Sequence, residues 1–235
     1  QHRWLPHHGV DVVTTLEEAD VVAVHAGTWI ETSKPVVSHC HGLYWEGYQW
    51  PRGALAMIKD VIRCLRQADA VTAPSKWVAN ALRRGMWLEP EVMYHGIEPD
   101  DWPEPNGAYG VYALWNKSRR DPICDPTPVN ELAKRAPGVL FRTTFGANAA
   151  NVEVTGVQPY DAAREAVSEA LVYLATSRET FGIGTLEAMA AGVPVLGWNW
   201  GGQAEFVIHR KHGWLAEPDD YDGLLNDVIN RLRPL

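Results

Sequence analysis

The chain is poor in the residues that would mark it as a disulfide-stapled, membrane-spanning or nucleic-acid-binding protein. It has three cysteines in 235 residues, Cys40, Cys64 and Cys124. An odd count without a CxxC pair argues against a disulfide framework and fits reduced thiols in a cytosolic protein. No zinc pattern is present either: the histidines have no Cys or carboxylate at ligand spacing. No apolar run approaches the roughly 18–20 residues that a bilayer span needs. No basic-then-apolar start reads as a leader, although residue 1 is Gln rather than Met. Positive charge is in deficit, with 21 Lys and Arg against 29 Asp and Glu and a net charge of −8. That balance argues against a general affinity for nucleic acid or anionic lipid. There is no internal repeat and no low-complexity segment, and the expected location is the cytoplasm.

What is present reads as an ordinary globular chain, 46% hydrophobic and 21% charged. Its length allows one large or two small domains. Short β-branched runs alternate with helical stretches, the pattern of parallel α/β layers. Strands are predicted at Val10–Val13, Val21–His25, Pro35–His39, Ala70–Ala73 and Val92–Tyr94, with helices over 54–66 and from Ser75 to Arg84. A loop rich in proline and acids, 98–107, is the predicted linker. Beyond it the alternation restarts, with strands at Tyr109–Leu114, Val139–Arg142, Val152–Thr155, Leu171–Ala175 and Val193–Gly197. The predicted domains are therefore 1–104 and 105–235, and the last helix, from Asp219 towards Leu232, is a candidate to return to the first.

The most informative segment runs from Thr176 to Val195. An apolar strand delivers the chain to a polar turn, a helix starts at the glycines, and Gly192-Val-Pro194-Val195 opens another strand. Glu179 lies just before the helix and Glu187 about two turns further along. The helix start between them offers free amides and the positive end of a dipole, a seat for phosphate. Carboxylates there would repel phosphate, so they are expected to face hydroxyl groups. A sugar nucleotide has both parts. The bland alternative is a surface helix carrying two solvated glutamates.

The segment Glu179-Thr-Phe181-Gly182-Ile183-Gly-Thr-Leu-Glu187-Ala-Met-Ala-Ala-Gly192-Val-Pro194-Val195 resembles the retaining glycosyltransferases of the GT-B fold, family 4 in particular, whose hallmark is Glu, seven residues, Glu. The flanking Phe181-Gly182, Gly192 and Pro194 carry the match beyond the bare spacing. The resemblance implies an α/β protein of two Rossmann-like domains facing a cleft. The N-terminal one reads as reduced, because the sequence lacks the strand and glycine-rich loop that usually open the family's first domain: either that start is missing from it, or the enzyme is trimmed and manages without the loop. It implies metal-independent transfer of a sugar from a nucleotide-diphosphate sugar, a UDP-sugar being favoured, with retained anomeric configuration and no cofactor. Glu179 would accept from donor-sugar hydroxyls, with the amides of Phe181, Gly182 and Ile183 beside it. Glu187 would hold the ribose. Gly146 and Gly156, at strand ends, would border the base.

The family's Arg and Lys against the diphosphate find a counterpart in Trp115-Asn-Lys117-Ser-Arg119-Arg120-Asp121, although the usual glycine-arginine start is missing. Lys117 and Arg120 mimic that cationic pair best, against the alternative of a solvated basic loop. His41, before Gly42, matches the histidine that faces the donor sugar. His39 is the near alternative, on the acceptor side, while His25 reads as structural. Gly201-Gly202-Gln-Ala-Glu205 resembles the family's next element, or is simply turn chemistry. Tyr44 and Trp45, in an aromatic run from 44 to 50, suit an acceptor surface or packing beneath the cleft.

The acceptor is expected to be a carbohydrate, a lipid-linked species or another hydroxyl compound. Lys59, Arg63 and Arg66 share one face of the 52–66 helix. That face is a candidate for peripheral membrane contact or a solvated face. Nine basic against thirteen acidic residues over 1–103 count against a nucleic-acid acceptor. Two other readings stay open: another GT-B enzyme, such as an epimerase or phosphorylase, and a non-catalytic sugar-nucleotide or glycan-binding subunit. Oligomeric state has no signature in the sequence.

Overall fold

The computed structural model describes residues 4–27, 29–43, 54–102 and 110–232, with side chains to residue 226. The predicted linker boundary at 104/105, and the candidate acceptor residues Tyr44 and Trp45, lie outside the described residues.

Two parallel sheets form. The first has four strands in sequence order: β1 (Val22–His25), β2 (Val36–His39), β3 (Ala70–Ala73) and β4 (Glu91–Val92). Helices α1 (Leu55–Gln67) and α2 (Lys76–Met86) are amphipathic and pack through Val61, Cys64 and Leu65, and through Val78, Ala79 and Leu82. Ser75 ends β3 and caps α2, its hydroxyl accepting from the Val78 amide at 3.2 Å. Val10–Val13, predicted as a strand, forms none. Val10, Val12 and Val13 are 47%, 42% and 40% exposed, so the β-branched run has no sheet to join. The last strand of this sheet is Glu91–Val92 rather than Val92–Tyr94.

The second sheet has six strands in the order β10-β9-β8-β5-β6-β7. They are β5 (Tyr112–Trp115), β6 (Leu140–Thr143), β7 (Val152–Val154), β8 (Val172–Ala175), β9 (Val195–Trp198) and β10 (Gly213–Ala216). Helices α3 (Thr127–Arg135) and α6 (Tyr221–Leu232) cover one face, and α4 (Tyr160–Ser168) and α5 (Ile183–Ala190) cover the other. All four residues of β5, β8 and β9 are buried, as expected for strands covered on both faces. Side chains alternate between two cores. Trp115, Leu174, Leu196 and Trp198 pack with α3 and α6, while Tyr112, Leu114, Tyr173 and Val195 pack with α4 and α5. Leu224 and Leu225 hold α6 on this second sheet. Over its described side chains, the last helix stays with the C-terminal half.

The strand order reverses between β5 and β8. From β5 the chain builds outward through β6 and β7, then returns to add β8 on the other side of β5. In open parallel sheets, ligands bind beyond the carboxyl ends of the strands at such a switch point. The loops that leave β5 and β8 carry Lys117 and Glu179.

Candidate functional site

The loop after β8 is shaped by close backbone approaches. Gly182 takes φ of +92° and precedes α5. A Cβ on Gly184 would strike the Tyr173 hydroxyl. A Cβ on Gly201 would strike the carbonyl of Glu179, and one on Gly202 that of Thr180. The Gly201-Gly202 pair therefore lets the chain after β9 lie directly on the Glu179–Phe181 backbone. Gln203, 1% exposed, ties this turn down. Its amide donates to the carbonyls of Ala175 at 2.8 Å and Trp198 at 3.0 Å, and its oxygen accepts from the Thr185 hydroxyl at 3.4 Å. Nothing in the residue type of Gln203 flagged it, because an isolated Gln carries no pattern.

Glu179 forms a short ion pair with Lys117, which is only 9% exposed. Burial alone would lower the Lys117 pKa, but the neighbouring Glu179 and Tyr173 oxygens outweigh it and raise the pKa well above the ordinary lysine value. Lys117 is thus a fixed cation at the end of β5. α5 begins at Ile183, so Glu187 is its fifth residue, one turn in rather than two. Its carboxyl is pushed up mainly by burial, with Lys117 acting to lower it and Glu179 to raise it. Lys117, Glu179 and Glu187 therefore converge on one electrostatic centre, beside the α5 start. There the amides of Ile183 and Gly184 have no partner within the helix.

Arg120 is separated from this centre. Its guanidinium lies 4.8 Å from the Phe145 ring centroid. It lines a cavity of about 890 Å³ on the α3–α6 side together with Phe145, Gly146, Thr176, Arg178 and Tyr221. The Thr176 hydroxyl on this wall has no hydrogen-bond partner among the described residues. Arg119 is engaged by Asp121, and Arg178 by Asp219 at 3.0 Å. Gly146 (φ +117°) and Gly156 (φ +72°) turn the chain after β6 and β7. The Gly156 turn leads into α4, whose first residue, Tyr160, feels the charge of Glu187.

The first half meets this loop directly. The Ser75 hydroxyl donates to the Thr180 carbonyl at 2.8 Å, and the Thr180 hydroxyl donates to the His41 carbonyl at 2.9 Å. Glu205 accepts from the Lys76 and Trp77 amides at 3.0 and 2.6 Å, capping α2 from the opposite half, and from the Tyr94 hydroxyl at 2.9 Å. His95 sets its edge against Phe181, with centroids 5.0 Å apart. His39 and His41 are thereby brought to the motif loop, and His25 joins them, with His25 Nδ1 2.8 Å from His41 Nε2. Sequence reasoning missed His95, Tyr94 and the capping role of Glu205. Each acts across more than 80 positions, which local pattern cannot reveal. Among the described residues, no group of three or more His, Cys, Asp or Glu side chains is arranged to hold a metal ion.

Two family models match the two halves. "Glycosyltransferase Family 4" matches residues 2–101, and "Glycosyl transferases group 1" matches residues 146–233. The chain belongs to the GT-B glycosyltransferases of the family 4 type. Among curated proteins, this GT-B chain is 49% identical over 66 residues to the alpha-1,3/1,6-mannosyltransferase alg-2 of Neurospora crassa, a match covering 27% of the chain and 14% of that protein. Among solved structures it is similar to sucrose-phosphate synthase from Thermosynechococcus elongatus. The TM-score is 0.72 at 18% identity, covering 86% of the chain and 60% of that protein. It is also similar to Anabaena HepE in complex with UDP-glucose, with a TM-score of 0.69 at 20% identity, covering 85% and 63%. These structural likenesses concern the fold. The GT-B chain spans about three fifths of both structures.

Proposed function

We propose that the chain transfers a sugar from a nucleotide-diphosphate sugar to a hydroxyl acceptor, without a metal and with retention of anomeric configuration. The observation that carries this reading is the convergence of Lys117, Glu179 and Glu187 at the switch point, beside the free amides of α5. Glu179 accepts hydrogen bonds from donor-sugar hydroxyls, and the amides of Phe181, Gly182 and Ile183 lie along the same loop. Glu187, one helical turn on, takes the ribose hydroxyls, and the turns at Gly146 and Gly156 border the base.

Charge develops on the leaving diphosphate, and stabilising it by preorganised donors is the principal demand. Lys117 and the α5 N-terminus meet that demand at close range, whereas Arg120, from the same β5 loop, turns to Phe145 and the neighbouring cavity. His41, from the N-terminal half, donates to or accepts from a donor-sugar hydroxyl in its neutral form. Its pKa is lowered to about 4, first by burial and then by the neighbouring imidazoles of His25, His95 and His39, so it is uncharged at neutral pH. Anabaena HepE, similar in fold, binds UDP-glucose, which makes a UDP-sugar the first donor to try. The acceptor is a carbohydrate or another hydroxyl compound.

The test is a panel of UDP-, GDP- and ADP-sugars, read by thermal shift and by mass spectrometry of products. One nucleotide series is expected to stabilise the chain, since a ligand that binds only the folded state raises its apparent stability. Glu179→Gln is expected to keep nucleotide binding and lose transfer. Full transfer by that variant would remove Glu179 from the reaction. Nucleotide binding with no product under any acceptor would favour a non-catalytic subunit, and conversion of the donor alone would favour an epimerase.

A further inference from the structure

Four histidines from three strand ends meet at the mouth of the first sheet. His25 ends β1, His39 ends β2, His41 follows two residues on, and His95 lies beyond β4. The rings of His25 and His39 stack with centroids 4.6 Å apart. Those of His41 and His95 lie 5.5 Å apart and nearly parallel. His25 Nδ1 and His41 Nε2 share a hydrogen bond of 2.8 Å, and His39 Nδ1 sits 2.7 Å from the Thr72 hydroxyl. His39, His41 and His95 line a cavity of about 290 Å³, with Thr72 and Tyr94 from their own half and Ile183 from the opposite one.

Among the described residues, the wall of this cavity contains no Asp, Glu, Lys or Arg. Its other titratable groups are the Cys40 thiol, pushed up to about 11 by burial, and the Tyr94 hydroxyl, also pushed up by burial and by Glu205. Both are uncharged at neutral pH. Glu205 touches the wall only through Tyr94, and its oxygens are also engaged by the amides that begin α2. The charges that act on His39, His41 and His95 are one another's and that of His25, and with burial they hold all three below the ordinary histidine range. Among the described residues, the pocket is therefore a cluster of bases without a counter-ion. Across it, Ile183 presents the first turn of α5, the positive end of a helix.

A neutral imidazole offers one N–H and one bare nitrogen. In the His25–His41 pair one ring must donate to the other, so the donor ring is left with a bare outward nitrogen. An uncharged hydroxyl can meet that nitrogen. An oxygen anion cannot, unless the pair gains a proton.

We propose that this cavity is the oxyanion subsite of the acceptor: an acceptor carrying a carboxylate or phosphate beside its reacting hydroxyl docks against His39, His41 and His95 and brings one proton with it. The proton comes from solvent and resides on the His25–His41 pair, and no covalent bond changes. The anion supplies the counter-charge that the wall lacks, and the acceptor hydroxyl is held next to the Thr180–Phe181 loop. The word acceptor rests on the transferase reading; the anion site itself does not.

The test uses the full chain with histidine rings labelled for nitrogen NMR, titrated separately with succinate and inorganic phosphate at pH 6.5 and 7.5. Phosphate also suits a diphosphate site, so the succinate arm isolates this pocket, and the two arms tell a carboxylate acceptor from a phosphorylated one. Saturation is expected to move the His25 and His41 nitrogens towards the imidazolium pattern. Succinate, almost fully ionised at both pH values, is expected to bind more tightly at pH 6.5 than at pH 7.5, towards about tenfold, the limit for one proton taken up. His95→Gln and His25→Gln are each expected to weaken binding at least about fivefold on that basis, while the thermal shift given by UDP is unchanged. Ring nitrogens unmoved by either anion, or equal succinate binding at both pH values, would overturn the proposal. If none of UDP, GDP and ADP gives a thermal shift while the anions still titrate the rings, the transferase reading falls and the anion site stands. The opposite pattern keeps the transferase and removes the site.

Discussion

The two halves are held together internally by different means, and the site lies where they touch. The C-terminal sheet buries Trp115, Trp198 and Tyr173 almost completely, in cores on both faces. The N-terminal sheet has no buried aromatic of that size among the described residues; Leu65, Leu82 and Val78 are its largest fully buried side chains. Between the halves the contacts are hydrogen bonds and ring edges: Ser75 to Thr180, Thr180 to His41, Glu205 to α2 and Tyr94, Trp77 against Trp200 at 4.5 Å. All of them end on the two loops that follow β8 and β9, at Thr180 and at Trp200 and Glu205. Docking of the halves and assembly of the motif loop are thus one event, and a rigid C-terminal platform presents Glu179 to a softer, histidine-bearing partner.

Four substitutions or conditions test this contrast. The largest effect is expected from Glu179→Gln, which removes a charge without emptying space. Transfer falls by about 10²–10³-fold, the scale for losing one preorganised polar contact, and the melting temperature falls as well, because the buried Lys117 cation loses its carboxylate partner. Turnover and melting curves measure both. Gln203→Ala should strike the platform itself. It strands the buried carbonyls of Ala175 and Trp198, at about 1–3 kcal/mol each, visible as a lower midpoint in urea. An unchanged midpoint would show that the turn after β9 does not depend on it.

Glu205→Ala should act between the halves. It removes the Glu205 cap from α2, leaving that of Ser75, and frees Tyr94, with a loss of about 1–2 kcal/mol and faster hydrogen exchange at the start of α2, β8 and β9 staying protected. Exchange that rose equally in β8 and β9 would erase the distinction between platform and partner. The smallest effect is acid sensitivity of the N-terminal half. His41 is held near 4 in the folded chain against 6.5 when unfolded. Between those values the unfolded chain binds more protons, so stability falls as pH drops through that window and is flat above it. His41→Gln should flatten the slope, read from melting temperature against pH.

The motif half was legible because its signals are local. Gly182, Gly184 and Gly192 mark turn, close approach and helix end within ten residues, and Glu179 and Glu187 fall on either side of the helix start. The parallel α/β alternation was legible for the same reason, as runs such as Leu171–Ala175 and Val193–Gly197 became the central strands. Val10–Val13 shows the limit: β-branched residues favour a strand only when a neighbour offers hydrogen bonds and cover. The Lys117–Glu179 pair joins loops 62 residues apart, and placing Lys117 beside Arg120 in sequence hid that their side chains leave the β5 loop in different directions. His95 and Glu205 were invisible for a related reason, since each gains its role only when the two sheets meet.

The most direct test of the central claim is a crystal structure with UDP-glucose bound. The account predicts sugar hydroxyls within hydrogen-bond distance of Glu179, the ribose on Glu187 and the diphosphate against Lys117 and the start of α5. A nucleotide seated instead in the cavity between Phe145, Arg178 and Tyr221, with Glu179 still closed on Lys117 and touching no ligand, would contradict it.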